Sequence, residues 1–171
     1  MCIRDRSTVQ LFCEEQIEKL DGKHWRILMA YTKGLAEIIE ECRKSKNVKI
    51  KAQILKENES TQLIDLLQLT YNPSVKWIMP EGNPPYEPAP KDGDLEGALL
   101  GKMRMMKYFI SVNDQVLEPE VHPIKREGIF VQLLEGVSPN DAKLVLEMKN
   151  RSIKGVSKTV VKEAFPQIET D

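Results

Sequence analysis

The stretch 138-SPNDAKLVLEMKNRSIKGVSKTVVKEAFP-166 decides how the chain is read. It divides into two helices around a basic turn. Ser138 has the side chain of an N-cap, Pro139 suits the first helical position, and Asp141 complements the positive dipole end in the first turn. Ser157 repeats the start signal, Val160, Val161 and Phe165 fall on one helical face, and Pro166 stops the second helix. Between them lies RSIKGVSK, with Gly155 at its centre.

Working outward, the same periodicity predicts helices over most of the chain after Met29. Leu35, Ile38 and Ile39 line one face of segment 33–44, and Ile50, Ile54 and Leu55 line one face of 48–57. Leucines crowd segment 60–71, which reads as the most buried helix. A longer helix is expected from about Leu95 to Val112, with Leu99, Leu100, Met103, Met106 and Phe109/Ile110 inside; methionine at that spacing reads as gap-filling core. Residues 124–136 give a further helix after a polar connection at 113–123. Residues 72–94 hold six prolines and cannot be regular helix. Trp77, Ile78, Met79 and Tyr86 predict a strap lying across the helices. The expected fold class is all-α, a bundle of about seven short helices with this proline-rich strap and no strand.

Length and composition narrow the function. The chain has 171 residues and a formal net charge of −1, enough for one domain of ordinary size. Three cysteines, Cys2, Cys13 and Cys42, fit no disulfide framework, and His24 and His122 lie too far from them in sequence for metal-ligand spacing. No metal or cofactor is expected. No apolar run approaches the ~18–20 residues that span a bilayer. There is no G-x-x-x-x-G-K-S/T loop, no G-x-S-x-G and no H-E-x-x-H. Glu40/Glu41 and Glu118/Glu120 read as solvated faces, and His122, next to Pro123, reads as a turn residue. Nothing argues for an enzyme.

Charge distribution says more than its total. From Arg43 to Lys56 the chain carries Arg43, Lys44, Lys46, Lys49, Lys51 and Lys56 with no acid, and from Ala142 to Glu163 it carries Lys143, Lys149, Arg151, Lys154, Lys158 and Lys162 against Glu147 and Glu163. Each cluster straddles a turn between helices, where exposed N–H groups and lysines together favour phosphate. The candidate DNA-binding residues are Lys44, Lys46, Lys49, Lys51, Arg151, Lys154, Gly155, Ser157, Lys158 and Lys162. Gly155 would let backbone approach a ligand closely, and Ser157 can cap its helix or donate to a phosphate oxygen. Solvated lysine-rich helix ends are the alternative.

Three runs carry a resemblance: GLAEIIEECRKSKNVKIKAQILKENESTQLIDLLQLTYNPSVKW, LEGALLGKMRMMKYFI and DAKLVLEMKNRSIKGVSKTVVKEAFPQI. Over residues 33–168 the chain resembles the N-terminal DNA-binding domain of ATP-dependent DNA ligases, that of T-even bacteriophages in particular. It resembles more closely a group of small uncharacterised proteins of T-even-like marine phages. The resemblance implies an all-α module that grips duplex DNA through phosphates without reading sequence, acting in the cytoplasm of an infected bacterium. It does not imply ligation: the nearest match to Lys-x-Asp-Gly, Lys91-Asp92-Gly93, lacks the intervening residue. The proline-rich strap and the modest net charge depart from that pattern. The alternatives are a phage protein that binds a protein partner or sequesters a small nucleotide under the strap, and a fragment of a DNA ligase.

The first residues are read differently. ATG-TGT-ATA-AGA-GAC-AG followed by any base spells Met-Cys-Ile-Arg-Asp-Arg or -Ser, so MCIRDR resembles a translated transposase end sequence used as a sequencing adapter. Residues 7–28 could form a helix from Val9 to Leu20, or stand upstream of a start at Met29, since Trp25-Arg26 can be encoded by a ribosome-binding TGGAGG. Residues 1–28 are therefore expected to be a non-native leader, and 29–171 a single helical domain.

Overall fold

In the computed structural model, residues 32–90, 95 and 97–170 are described. The expectations for the leader, for Met29 and for Lys91-Asp92-Gly93 lie outside them.

Most of the described helices begin where side-chain oxygens or nitrogens take up free N–H groups; those after Gly34 and Gly97 start without such a cap. In α1 (Leu35–Lys44), Leu35, Ile38, Ile39 and Cys42 are buried at i, i+3, i+4 and i+7 spacing. Asn47 accepts from Lys49 N and opens α2 (Val48–Glu57); Ser60 accepts from Leu63 N and opens α3 (Thr61–Tyr71). His122 accepts from Ile124 N through Nδ1 at 3.3 Å, so this turn residue caps α5 (Pro123–Glu135), with Pro123 in the first turn. Ser138 accepts from Asp141 N ahead of α6 (Pro139–Lys149), and Ser157 accepts from Val160 N ahead of α7 (Lys158–Ala164). Each Ser or Asn cap is worth about 1 kcal/mol.

The chain is mostly helical, but all-α is corrected. Three short strands form an antiparallel sheet in the order β1 (Val75–Trp77), β2 (Ile110–Val112), β3 (Gln115–Val116). Val75 pairs with Val112 and Trp77 with Ile110, and Val112 pairs with Gln115 across a two-residue turn. Asn113 and Asp114 both have positive φ, 49° and 62°, which a primed hairpin turn demands.

The single helix expected over 95–112 is corrected with it. Only α4 (Ala98–Lys102) is α-helical, followed by a 3₁₀ segment from Met103 to Tyr108 and then by β2. Gly97 at φ 79° precedes the helix, and the low helix propensity of Gly101 with β-branched Ile110 and Val112 favours breaking it. Most of the inner stripe survives the change: Leu99, Met103, Met106, Phe109 and Ile110 are buried, the methionines as core, while Leu100 is half-buried against it. Phe109 meets Phe130 edge to face at 5.1 Å. Of the face expected for α2, Leu55 is buried and Ile54 packs half-buried against the core, but Ile50 is 50% exposed and Ala52 faces the core instead.

α6 is the hub, packing against α1, α3 and α5. Its burial matches or exceeds that of α3, taking in Ala142, Leu144, Val145, Leu146 and Met148. The strap lies on this core. Trp77 donates its indole N–H to Leu69 O at 3.1 Å, Ile78 N donates to Phe109 O at 2.9 Å, and Tyr86 packs half-buried against the core. Buried Arg126 donates to the carbonyl oxygens of Tyr108, Glu118 and Val121, pinning the connection that follows β2.

Candidate nucleic-acid interface

The turn between α6 and α7 is built by side chains from three other helices. Arg43 of α1 donates through Nε to Lys154 O at 2.9 Å and through Nη2 to Glu147 Oε2 at 2.7 Å. The same Glu147 oxygen accepts from Lys154 N at 3.0 Å. Lys51 of α2 donates to Gly155 O at 2.6 Å. Tyr71, at the end of α3, donates to Val156 O and accepts from Ile153 N. Burial pushes the Tyr71 hydroxyl pKa up, a bond from Ile153 N pulling the other way.

Arg151 completes the frame from within the turn. It takes a left-handed conformation, φ 56°, and donates to the carbonyl oxygens of Thr70 at 3.3 Å, Asn72 at 2.7 Å and Val75 at 2.9 Å. Its guanidinium thus satisfies carbonyls at the negative end of α3 and leads the chain into β1.

Two basic clusters separated by about a hundred residues in sequence meet at this junction, where α2 packs on α7. Charges fall into two groups. Arg43, Lys51 and Arg151 are held by backbone carbonyls, and Arg43 also by Glu40 and Glu147. Lys44, Lys46, Lys49, Lys154, Lys158 and Lys162 are exposed, and among the described residues none of their side chains is in an ion pair. Val48, 40% exposed, and Ile50 sit among the lysines of α2. Solvated lysines cost nothing to leave unpaired, so the arrangement offers mobile positive charge on a rigid base.

The fold also explains the two small residues of the turn. Gly155 has φ +88°, and a Cβ there would meet Arg43 Cγ at 2.5 Å and Arg43 Cα at 3.1 Å; the close approach that requires glycine is to α1. Ser157 Oγ is 3.5 Å from Val160 N as the α7 cap, and its hydroxyl hydrogen is left to donate. The acidic pairs read as solvated faces neutralise cations: Glu40 pairs with Arg43, Glu41 with Lys33 and Glu118 with Lys107. Among the described residues no His/Cys/Asp/Glu group could hold a metal ion, and no helix is long and apolar enough to cross a membrane.

A pocket of about 370 Å³ opens on another side of the turn, between the strap and the end of α6, lined by Trp77, Met79, Glu81, Lys76, Lys149 and Arg151 among others. Trp77 therefore both packs on the core and faces solvent, whereas Tyr86 packs on the core. Sequence reasoning named Trp77 and, separately, Lys149 and Arg151, but gave no sign that β1 brings them together.

A family model matches residues 38–155, from α1 to Gly155. The chain belongs to DUF6433, a family of unknown function. No curated protein and no solved structure matches the chain. The DUF6433 match takes in the first basic cluster, the strap, the pocket and the turn as far as the glycine that α1 requires.

Proposed function

We propose that this DUF6433 protein is a non-catalytic module that binds the backbone of duplex DNA, in the manner implied by its resemblance to the N-terminal domain of phage DNA ligases, and that it serves phage DNA metabolism in the cytoplasm of the infected host. The observation that carries the reading is the meeting of the two basic clusters: Arg43 and Lys51 reach across to the 154–155 backbone, and exposed lysines from both clusters surround that contact. Lysines on flexible stems around a rigid frame suit phosphates, whose spacing is the same in every sequence. The exposed aliphatic side chains Val48 and Ile50 would sit against deoxyribose between them.

Fluorescence anisotropy with short duplexes of different sequence tests this. The module binds each duplex with similar affinity at low salt, and replacing Lys154 and Lys158 with Glu weakens all of them evenly. Failure to bind any duplex at low salt ends the proposal, and a changed sequence preference in the double variant contradicts a phosphate-only interface.

A further inference from the structure

The pocket beside Trp77 is chemically unlike the lysine junction, because its cations are buried or fixed. Lys149 is 9% exposed, and its ammonium donates to Gly82 O at 2.7 Å. Among the described residues no carboxylate pairs with it or with Arg151. An ammonium on a side chain buried this far, hydrogen-bonded to a neutral carbonyl and ion-paired with no described carboxylate, favours an anion beside it. Donors remain for one: Lys149 has two N–H groups beyond the Gly82 bond, and Arg151 has two of its five beyond its three carbonyls. Lys76 is ion-paired with Asp114, and Glu81 is the one carboxylate among the described lining residues, so Lys149 and Arg151 leave a net positive wall.

The other wall is aromatic. Trp77 is half-buried and held by the Leu69 bond, so its ring is presented without loss of side-chain freedom on binding. The pocket volume falls within the ordinary range of small-ligand sites. We infer that this pocket binds a nucleotide, its base stacked on Trp77 and its phosphate held by Lys149 and Arg151. The nucleotide is either free or the unpaired end of a strand. Free nucleotide needs none of the exposed lysines, so this inference stands or falls apart from duplex binding.

The full chain carrying Trp25→Phe lets Trp77 report alone, since the chain has two tryptophans. Titrating it with dAMP should quench Trp77 emission saturably, deoxyadenosine should bind at least about tenfold more weakly, and inorganic phosphate should compete with dAMP. Lys149→Gln should lower dAMP affinity by at least about tenfold; if that variant does not fold, the phosphate competition in the unmutated pocket decides the same point. In a parallel arm, a duplex with an unpaired 5′ nucleotide is compared with a blunt one. Quenching by dAMP assigns the site to free nucleotide, and quenching by the overhang alone assigns it to a strand end. No quenching by either overturns the inference, even if blunt duplex binds by anisotropy. Deoxyadenosine binding as tightly as dAMP overturns the phosphate assignment.

Discussion

Gly155→Ala separates a framework role for the 150–157 turn from a purely ligand-facing one. A Cβ at φ +88° costs about 1–2 kcal/mol for a left-handed backbone. Its neighbours add to that. Arg43 Cγ, at 2.5 Å, is the middle of a side chain pinned by Glu147 and Lys154 O, and Arg43 Cα, at 3.1 Å, is helix backbone that does not yield. Overpacking of this kind costs about 1–3 kcal/mol. Loss of glycine's freedom in the unfolded chain returns about 0.4–1 kcal/mol, which leaves a destabilisation of about 1–4.5 kcal/mol. Urea unfolding followed by far-UV circular dichroism should show that loss as a lower midpoint with an unchanged slope, and melting should fall by about 3–14 °C. Adding Arg43→Ala, which removes the Cγ, should cost less in the Gly155→Ala background than in the native chain, a coupling of about 0.5 kcal/mol or more. A change below about 0.5 kcal/mol in the single variant, accompanied by lost DNA affinity, would refute the reasoning and return the glycine to the ligand.

Other substitutions test the same frame. Tyr71→Phe strips one acceptor from Ile153 N and one donor from Val156 O in a buried setting, and should cost about 1–3 kcal/mol by chemical denaturation. Alkaline pH should destabilise the fold. Burial pushes the Cys42 thiol from its ordinary 9.0 up to about 11, opposed by Lys51 and helped by Glu41, and raises the Tyr71 hydroxyl above 10.0. Both groups therefore lose their protons first in the unfolded chain: the Cys42 contribution is full below about pH 9 and is lost as pH rises through about 11, by up to about 1.4 kcal/mol per pH unit, and Tyr71 adds to the loss above about pH 10. Cys42→Ala should flatten part of that slope in urea midpoints measured across the range.

What the sequence disclosed follows from the range of the forces involved. The caps at Ser138 and Ser157, the stop at Pro166 and the methionine core are settled within one or two turns, and periodicity exposes them. Val75–Trp77 and Ile110–Val112 are three residues each and pair across more than thirty, with β2 hidden at the end of a run whose apolar spacing also suits a helix. Asn113-Asp114 was the readable sign, a pair tolerant of positive φ. The basic clusters were visible as charge, but charge alone does not say which cations a fold will use. Arg43, Lys51, Arg126 and Arg151 turn inward to carbonyl oxygens that only the tertiary structure supplies. Lys149 and Trp77 form a pocket for the same reason, since an element boundary and a loop close it together.

The salt dependence of duplex binding tests the central claim most directly. If the exposed lysines Lys44, Lys46, Lys49, Lys154, Lys158 and Lys162 each replace about one counterion, log K falls with log salt at a slope of about −5, and affinity drops about 10³-fold between about 50 and 200 mM. Lys154→Glu with Lys158→Glu should make that slope shallower by about 2. A slope near zero, or one that the double variant leaves unchanged, would contradict a DNA-backbone interface at this junction.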